Sequence, residues 1–182
     1  MPFGGSPRLT APFLSIFLLT AARPAGAEDA TARTTAPTQA YAIHIASEST
    51  ARTLREVLDG AAARLKAPEC RGILDDFRDG AGHPLRARLE ATGESPEGYL
   101  DLIVFYDGAG NVRCHRKGIL AAAAVGSRAV YICPEEFVTM AHRRPRWTEA
   151  TLIHEALHTL GLGENPPSST EITERVIRRC QP

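Results

Sequence analysis

The sequence predicts an α+β fold, a single domain in which a small mixed or antiparallel sheet packs on a central helix and on a C-terminal helix. Three observations carry this expectation. Short segments of strand-like alternation are interspersed with segments of helical spacing rather than forming one repeating βα series, and no internal repeat is present. The apolar stretch 148–160 is long enough for a central helix and is followed by Gly161, Gly163, Pro166 and Pro167, which end it. The chain has 182 residues of which 43% are hydrophobic, enough for one core.

Taken in order, the chain opens with Arg8 ahead of an apolar run at 11–22, centred on Phe13, Leu14, Ile16, Phe17, Leu18 and Leu19. Ala25-Gly26-Ala27 then offers a small-x-small cleavage site, so residues 1–27 read as a secretory signal peptide. The run falls short of the roughly 20 residues a membrane span needs, so no stable span is expected in the mature chain. No cysteine follows it until Cys70, which argues against a lipoprotein anchor. Residues 28–39, rich in Thr, Ala and Pro, read as a leader before a domain at 40–182.

Within that domain residues 41–46 alternate as a strand. Residues 50–66 carry Leu54, Val57, Leu58, Ala61, Ala62 and Leu65 at helical spacing, and a short helix is expected at 68–77. Asp79-Gly80 and Gly82 mark a turn. Strands follow at 85–91 and at 100–106, the latter closed by Asp107-Gly108, and a strand pair is expected within 111–124. A strand at 128–133 and a basic loop at 142–147 come before the central helix, for which Thr148 is the expected N-cap and Glu149 the first-turn acid. The last helix runs from 169 to 180, with Ser168 or Ser169 as its cap and Glu171 or Ile172 in its first turn.

Charge and cysteine content narrow the function classes. Removing residues 1–27 takes away Arg8 and Arg23 and leaves 19 basic against 21 acidic side chains. That balance gives no electrostatic footprint for nucleic acid. Cys70, Cys114, Cys133 and Cys180 are even in number and follow an export signal, which implies two disulfides and a secreted or periplasmic location. Three pairings are open, and Cys133 with Cys180 plus Cys70 with Cys114 is the preferred one, because the terminal helix has to dock near the central one. The wealth of Ala, Arg and Gly points to a bacterial source with a GC-rich genome.

The chemistry lies in His154-Glu155-Ala156-Leu157-His158, which continues through Gly161 to Glu164. On an α-helix His154 and His158 stand one turn apart on the same face, so their imidazoles can aim at one metal ion. Glu155, about 100° further round, is placed to exchange a proton with a water in the metal's open position. Two imidazoles and a neighbouring carboxylate are the minimum equipment for metal-assisted hydrolysis.

This pattern resembles the helix of the zincin metallopeptidases, and the segment 154–164 is most similar to the metzincin arrangement HExxHxxGxxH. Gly161 holds the glycine position, and Glu164 stands where that family places a third histidine; carboxylate oxygen is a normal zinc ligand. The methionine turn of metzincins has no counterpart, since the methionines are Met1 and Met140. The resemblance implies a zincin-like domain that binds Zn2+ through His154, His158 and Glu164, with Glu155 as general base, and hydrolyses a peptide or protein substrate. Glu171 and Glu174 compete for the third ligand position, as in gluzincins, where it lies on a following helix. An antiparallel edge strand in this family receives the substrate as an added strand, and Val130, Tyr131 and Ile132 are expected to form it, with an ordinary core strand as the alternative. Tyr131, His142 or an arginine is expected to help stabilise the oxyanion. His44, His83 and His115 are read as structural. A second class stays open, an exported zinc-stabilised binding or structural domain without turnover; Glu155 favours the enzyme, because a structural site needs ligands but no base.

Overall fold

The computed structural model describes residues 40–181. The signal peptide expected at 1–27 and the leader at 28–39 lie outside the described residues. The sheet contains β1 (Ala42–His44), β2 (Val104–Asp107), β3 (Ala121–Ala123) and β4 (Ala129–Ile132) in the order β1-β2-β4-β3. β1, β2 and β4 run parallel, and β3 closes one edge antiparallel to β4. The helices are α1 (Glu48–Leu65), α2 (Pro68–Arg71), α3 (Ile73–Asp76), α4 (Leu85–Glu90), α5 (Pro134–Arg143), α6 (Pro145–Thr159) and α7 (Ser169–Arg179), with 3-10 turns at Gly98–Leu102 and Val112–His115. The expected α+β class with a small mixed sheet is what forms.

Helix α6 is the hub, packing against α1, α5, α7 and β3. From Leu152 to Thr159 every residue is buried, which is why this helix has apolar residues on all sides rather than along one stripe. α1 meets it with Leu54, Val57, Leu58, Ala61, Ala62 and Leu65, all buried, at the spacing read from sequence. The sheet presents Phe105, Val130 and Ile132 to this core. Residues of opposite parity, His44, Tyr106 and Tyr131, lie in one register row and stack side by side, with ring centroids 5.4 and 5.7 Å apart.

Several local expectations are corrected. Residues 85–91 form helix α4, not a strand: Leu85 and Leu89 are four apart, and that spacing puts both on one face under either period. The region 100–106 is a 3-10 turn that becomes a strand only at Val104, and 111–124 holds a 3-10 turn and one strand instead of two. Residues 134–143 are a helix, α5, signalled by Pro134 at its first position, by Glu135 and Glu136 in its first turn, and by buried Phe137 and Ala141 four apart. α6 starts one turn before Thr148, at Pro145, so 142–147 is a helix-to-helix corner rather than a loop. Thr148 is fully buried, with its hydroxyl donating back to the Arg144 carbonyl. Glu149 pairs instead with Arg64 of α1.

The disulfides join Cys70 to Cys180 and Cys114 to Cys133, which overturns the preferred pairing. The terminal helix docks on α2 and α3, and that brings Cys180 to Cys70 rather than to the end of β4. The turn at Val112–His115 folds back onto the end of β4, and Gly108 makes room for it. A Cβ there would stand 2.6 Å from both the Cys114 sulfur and the Ile132 carbonyl oxygen. No described helix is long and apolar enough to cross a membrane.

Candidate metal centre

The geometry of the site begins with how α6 ends. The Gly161 N–H donates to the His158 carbonyl and the Leu162 N–H to the Leu157 carbonyl, the paired bonds of a Schellman motif. Gly161 sits at φ +111°, a conformation that residues with a Cβ rarely adopt. The chain therefore folds back over the last turn of α6. The Leu162 carbonyl comes within 2.7 Å of His158 Nδ1, and Glu164 is carried back to the two histidines. We expect Gly161→Ala to cost about 1–3 kcal/mol in denaturant unfolding and to weaken metal binding with it, since the added Cβ would also press on the Asp79 Cβ at 3.2 Å. A neutral substitution would show that this turn does not set the ligand geometry.

His154 and His158 are both buried, with their Nε2 atoms 2.9 Å apart. A backbone carbonyl only accepts, so the Leu162 oxygen fixes the proton of His158 on Nδ1 and leaves a lone pair on Nε2, facing His154. Nδ1 of His154 is 2.8 Å from the Thr173 hydroxyl of α7. Glu164 Oε1 lies 3.3 Å from His158 Nε2 and 3.7 Å from His154 Nε2. One ligand atom from each of the three residues can be chosen so that all lie within 4.8 Å of one another. A buried lone pair directed at a second imidazole and a carboxylate fits a shared cation. Two imidazoles and a carboxylate are a donor set that divalent transition-metal ions accept.

Glu171, the competing ligand, is committed elsewhere. Its Oε2 accepts from the N–H and the hydroxyl of Ser168, while the Ser168 hydroxyl accepts from its N–H, forming a capping box at the start of α7. Glu174, on the exposed side of α7, pairs with Arg178. The choice among the three glutamates therefore falls on Glu164. Thr173, one residue before Glu174, was not legible as part of the site, because its approach to His154 depends on how α7 docks. We expect Thr173→Val to lower metal affinity about 10–100-fold with little change in folding, measured by competition against a chelator. Unchanged affinity would remove Thr173 from the site.

Glu155 is buried at the edge of the sheet, and its Oε2 accepts from the Ala123 N–H at 2.7 Å. Burial pushes its pKa up to about 8; the Ala123 N–H works against that rise, and the Glu164 carboxylate adds to it. Burial, with the neighbouring His158 imidazole as the smaller cause, holds His154 down at about 3, which keeps its imidazole neutral. A neutral imidazole is the form that binds a metal.

The edge strand beside the site is β3, not the segment Val130 to Ile132, because β4 is paired on both sides. Cys133 N–H donates to the Leu120 carbonyl, so antiparallel alternation turns the N–H and C=O groups of Ala121 and Ala123 outwards. Both groups of Ala123 are engaged, the N–H by Glu155 and the carbonyl by Arg113 Nη1 at 2.9 Å. A cleft of about 650 Å³ runs along this edge and reaches Glu155, His158 and Glu164. A larger hollow of about 760 Å³, between the start of α6 and the end of α7, is lined by Arg64, Arg144, Trp147 and Ile177 and contains none of the three metal donors.

Of the expected auxiliary residues, Tyr131 is stacked on Tyr106, away from the site, and His142 is exposed at the end of α5. Arg113 and Arg116 are the arginines that line the cleft. His44 stacks on Tyr106, His83 pairs with Asp79, and His115 faces the Ala109 carbonyl, so none of them joins the pair on α6. No family model, curated protein or solved structure matches this chain.

Proposed function

We propose that this protein is an exported zinc-dependent peptidase. The observation that carries the proposal is the convergence of His154 Nε2, His158 Nε2 and Glu164 Oε1 on one point at the edge of the sheet, with the buried carboxyl group of Glu155 beside them. Two disulfides and the export signal support an oxidising compartment. Bound zinc supplies a water of lowered pKa and a Lewis acid for the peptide carbonyl. His154 and His158 would hold it through their imidazoles, oriented by Thr173 and by the Leu162 carbonyl, and Glu164 would hold it through its carboxyl group.

In its ionised form, which a cation held by the neighbouring ligands would favour over the protonated form, Glu155 takes the proton from the attacking water and passes it to the leaving amine. Its bond to Ala123 keeps the carboxyl group against β3, the strand along which a peptide would lie. The outward groups of Ala121 are available to that peptide, which supports strand addition over a short length. Elemental analysis of the purified protein and a peptide library test the reading together. About one zinc per chain, with hydrolysis abolished by a chelator and restored by zinc, is the expected result; a metal-free, well-folded protein without hydrolysis would refute it.

A further inference from the structure

The cleft along β3 contains cationic groups that the hydrolytic machinery does not use. Arg113 and Arg116 both line it, one on the 3-10 turn Val112–His115 and the other just after it. Arg113 donates one hydrogen bond to the Ala123 carbonyl, its charge opposes the rise of the Glu155 pKa, and it forms no direct ion pair with an acidic side chain among the described residues. The Arg116 guanidinium makes neither a hydrogen bond nor an ion pair among the described residues. The other charged groups lining the cleft are Glu155 and Glu164, which belong to the site.

The edge itself gives a peptide little to hold. Ala123 is occupied on both its outward groups, and the Ile119 N–H is used by the Arg116 carbonyl, so main-chain pairing is confined to about one residue at Ala121. So short a ladder supplies neither register nor much affinity, and both must come from a group the cleft can grip. Val112, Ile119 and Val125 offer modest apolar contact, whereas the two guanidiniums offer forked donors that match a carboxylate.

We propose that Arg113 and Arg116 form a subsite for a carboxylate of the substrate, so that the enzyme selects peptides carrying an acidic group near the scissile bond. The subsite rests on the peptidase reading. The carboxylate can belong to an Asp or Glu side chain or to the peptide's own C-terminus. In the free protein Arg113 is held by the Ala123 carbonyl through Nη1, which leaves its other guanidinium N–H groups for a bound carboxylate. The disulfide from Cys114 to Cys133 keeps the turn that bears Arg113 against the sheet.

The test uses blocked heptapeptides of one neutral scaffold in which a single Glu is moved through each position, the same peptides with Gln or Lys, and a neutral peptide with a free or an amidated C-terminus. Binding is measured by calorimetry on the Glu155→Gln protein, and kcat/KM on the wild type. Glu at one position, or the free C-terminus, should improve both by about tenfold or more over the neutral peptide, and the arm that shows the gain names the source. Arg116→Gln, which breaks no contact seen in the structure, should bring the ratio of acidic to neutral peptides towards one, Arg113→Gln should do the same, and Arg116→Glu should turn the preference towards Lys. Cleavage with no preference for a carboxylate, or a preference untouched by these variants, overturns the subsite and leaves the peptidase reading standing. Arginine-dependent binding of acidic peptides with no cleavage by the wild type overturns the peptidase reading and leaves the subsite.

Discussion

Replacing Glu155 by Gln should leave the metal in place and lower peptide hydrolysis by about 10²–10⁴-fold, the range expected when a positioned general base is removed. Glutamine keeps the size of the side chain and an acceptor for the Ala123 N–H, so the bond at 2.7 Å that fixes the group against β3 can persist. Folding should therefore be unchanged, and any loss of rate falls on proton transfer. Zinc stoichiometry should also be unchanged, because Glu155 stands beside the three donor atoms and is not one of them. Loss of both zinc and rate would make Glu155 a ligand instead. An undiminished rate would remove it from the chemistry. A binding or structural domain would have no turnover to lose, so the same variant separates the two classes of function.

The second large effect concerns the metal. His158→Ala should take the protein from about one zinc per chain to less than about a tenth, since a three-residue set cannot lose a buried imidazole and hold the ion. Glu164→Ala should weaken binding by removing the charged ligand. Glu171→Ala should leave zinc content untouched, because that carboxylate belongs to the capping box with Ser168. Its loss should appear only in stability, at about 1 kcal/mol. Elemental analysis of the three proteins, beside their denaturant midpoints, decides the matter. Zinc lost from Glu171→Ala and retained by Glu164→Ala would transfer the third ligand to α7. Zinc retained by His158→Ala would dissolve the site.

Much of this architecture is written locally. The core face of α1 repeats its apolar residues at helical spacing and needs no partner to be recognised. The same holds for the histidines of α6 and for Gly161, where a sharp exit demands a residue without a Cβ. Local pattern misled where two periods coincide, as at Leu85 and Leu89, and where a run of basic residues read as a loop although Pro145 within it stands at the first position of α6. The helix α5 had a complete start signal in Pro134, Glu135 and Glu136, overshadowed by the basic residues that follow.

By itself, then, the sequence determined the α+β class, the core face of α1, the pair of histidines on one helical face and the glycine that turns the chain behind them, because each depends on residues within a turn or two of each other. Tertiary structure alone decided which cysteines meet, which strand forms the edge, which glutamate reaches the histidines, and that Thr173 and Arg113 stand beside them. Those outcomes depend on how α7 and the turn before β3 dock, through contacts 10 to 110 residues apart in the chain whose approach no local periodicity encodes.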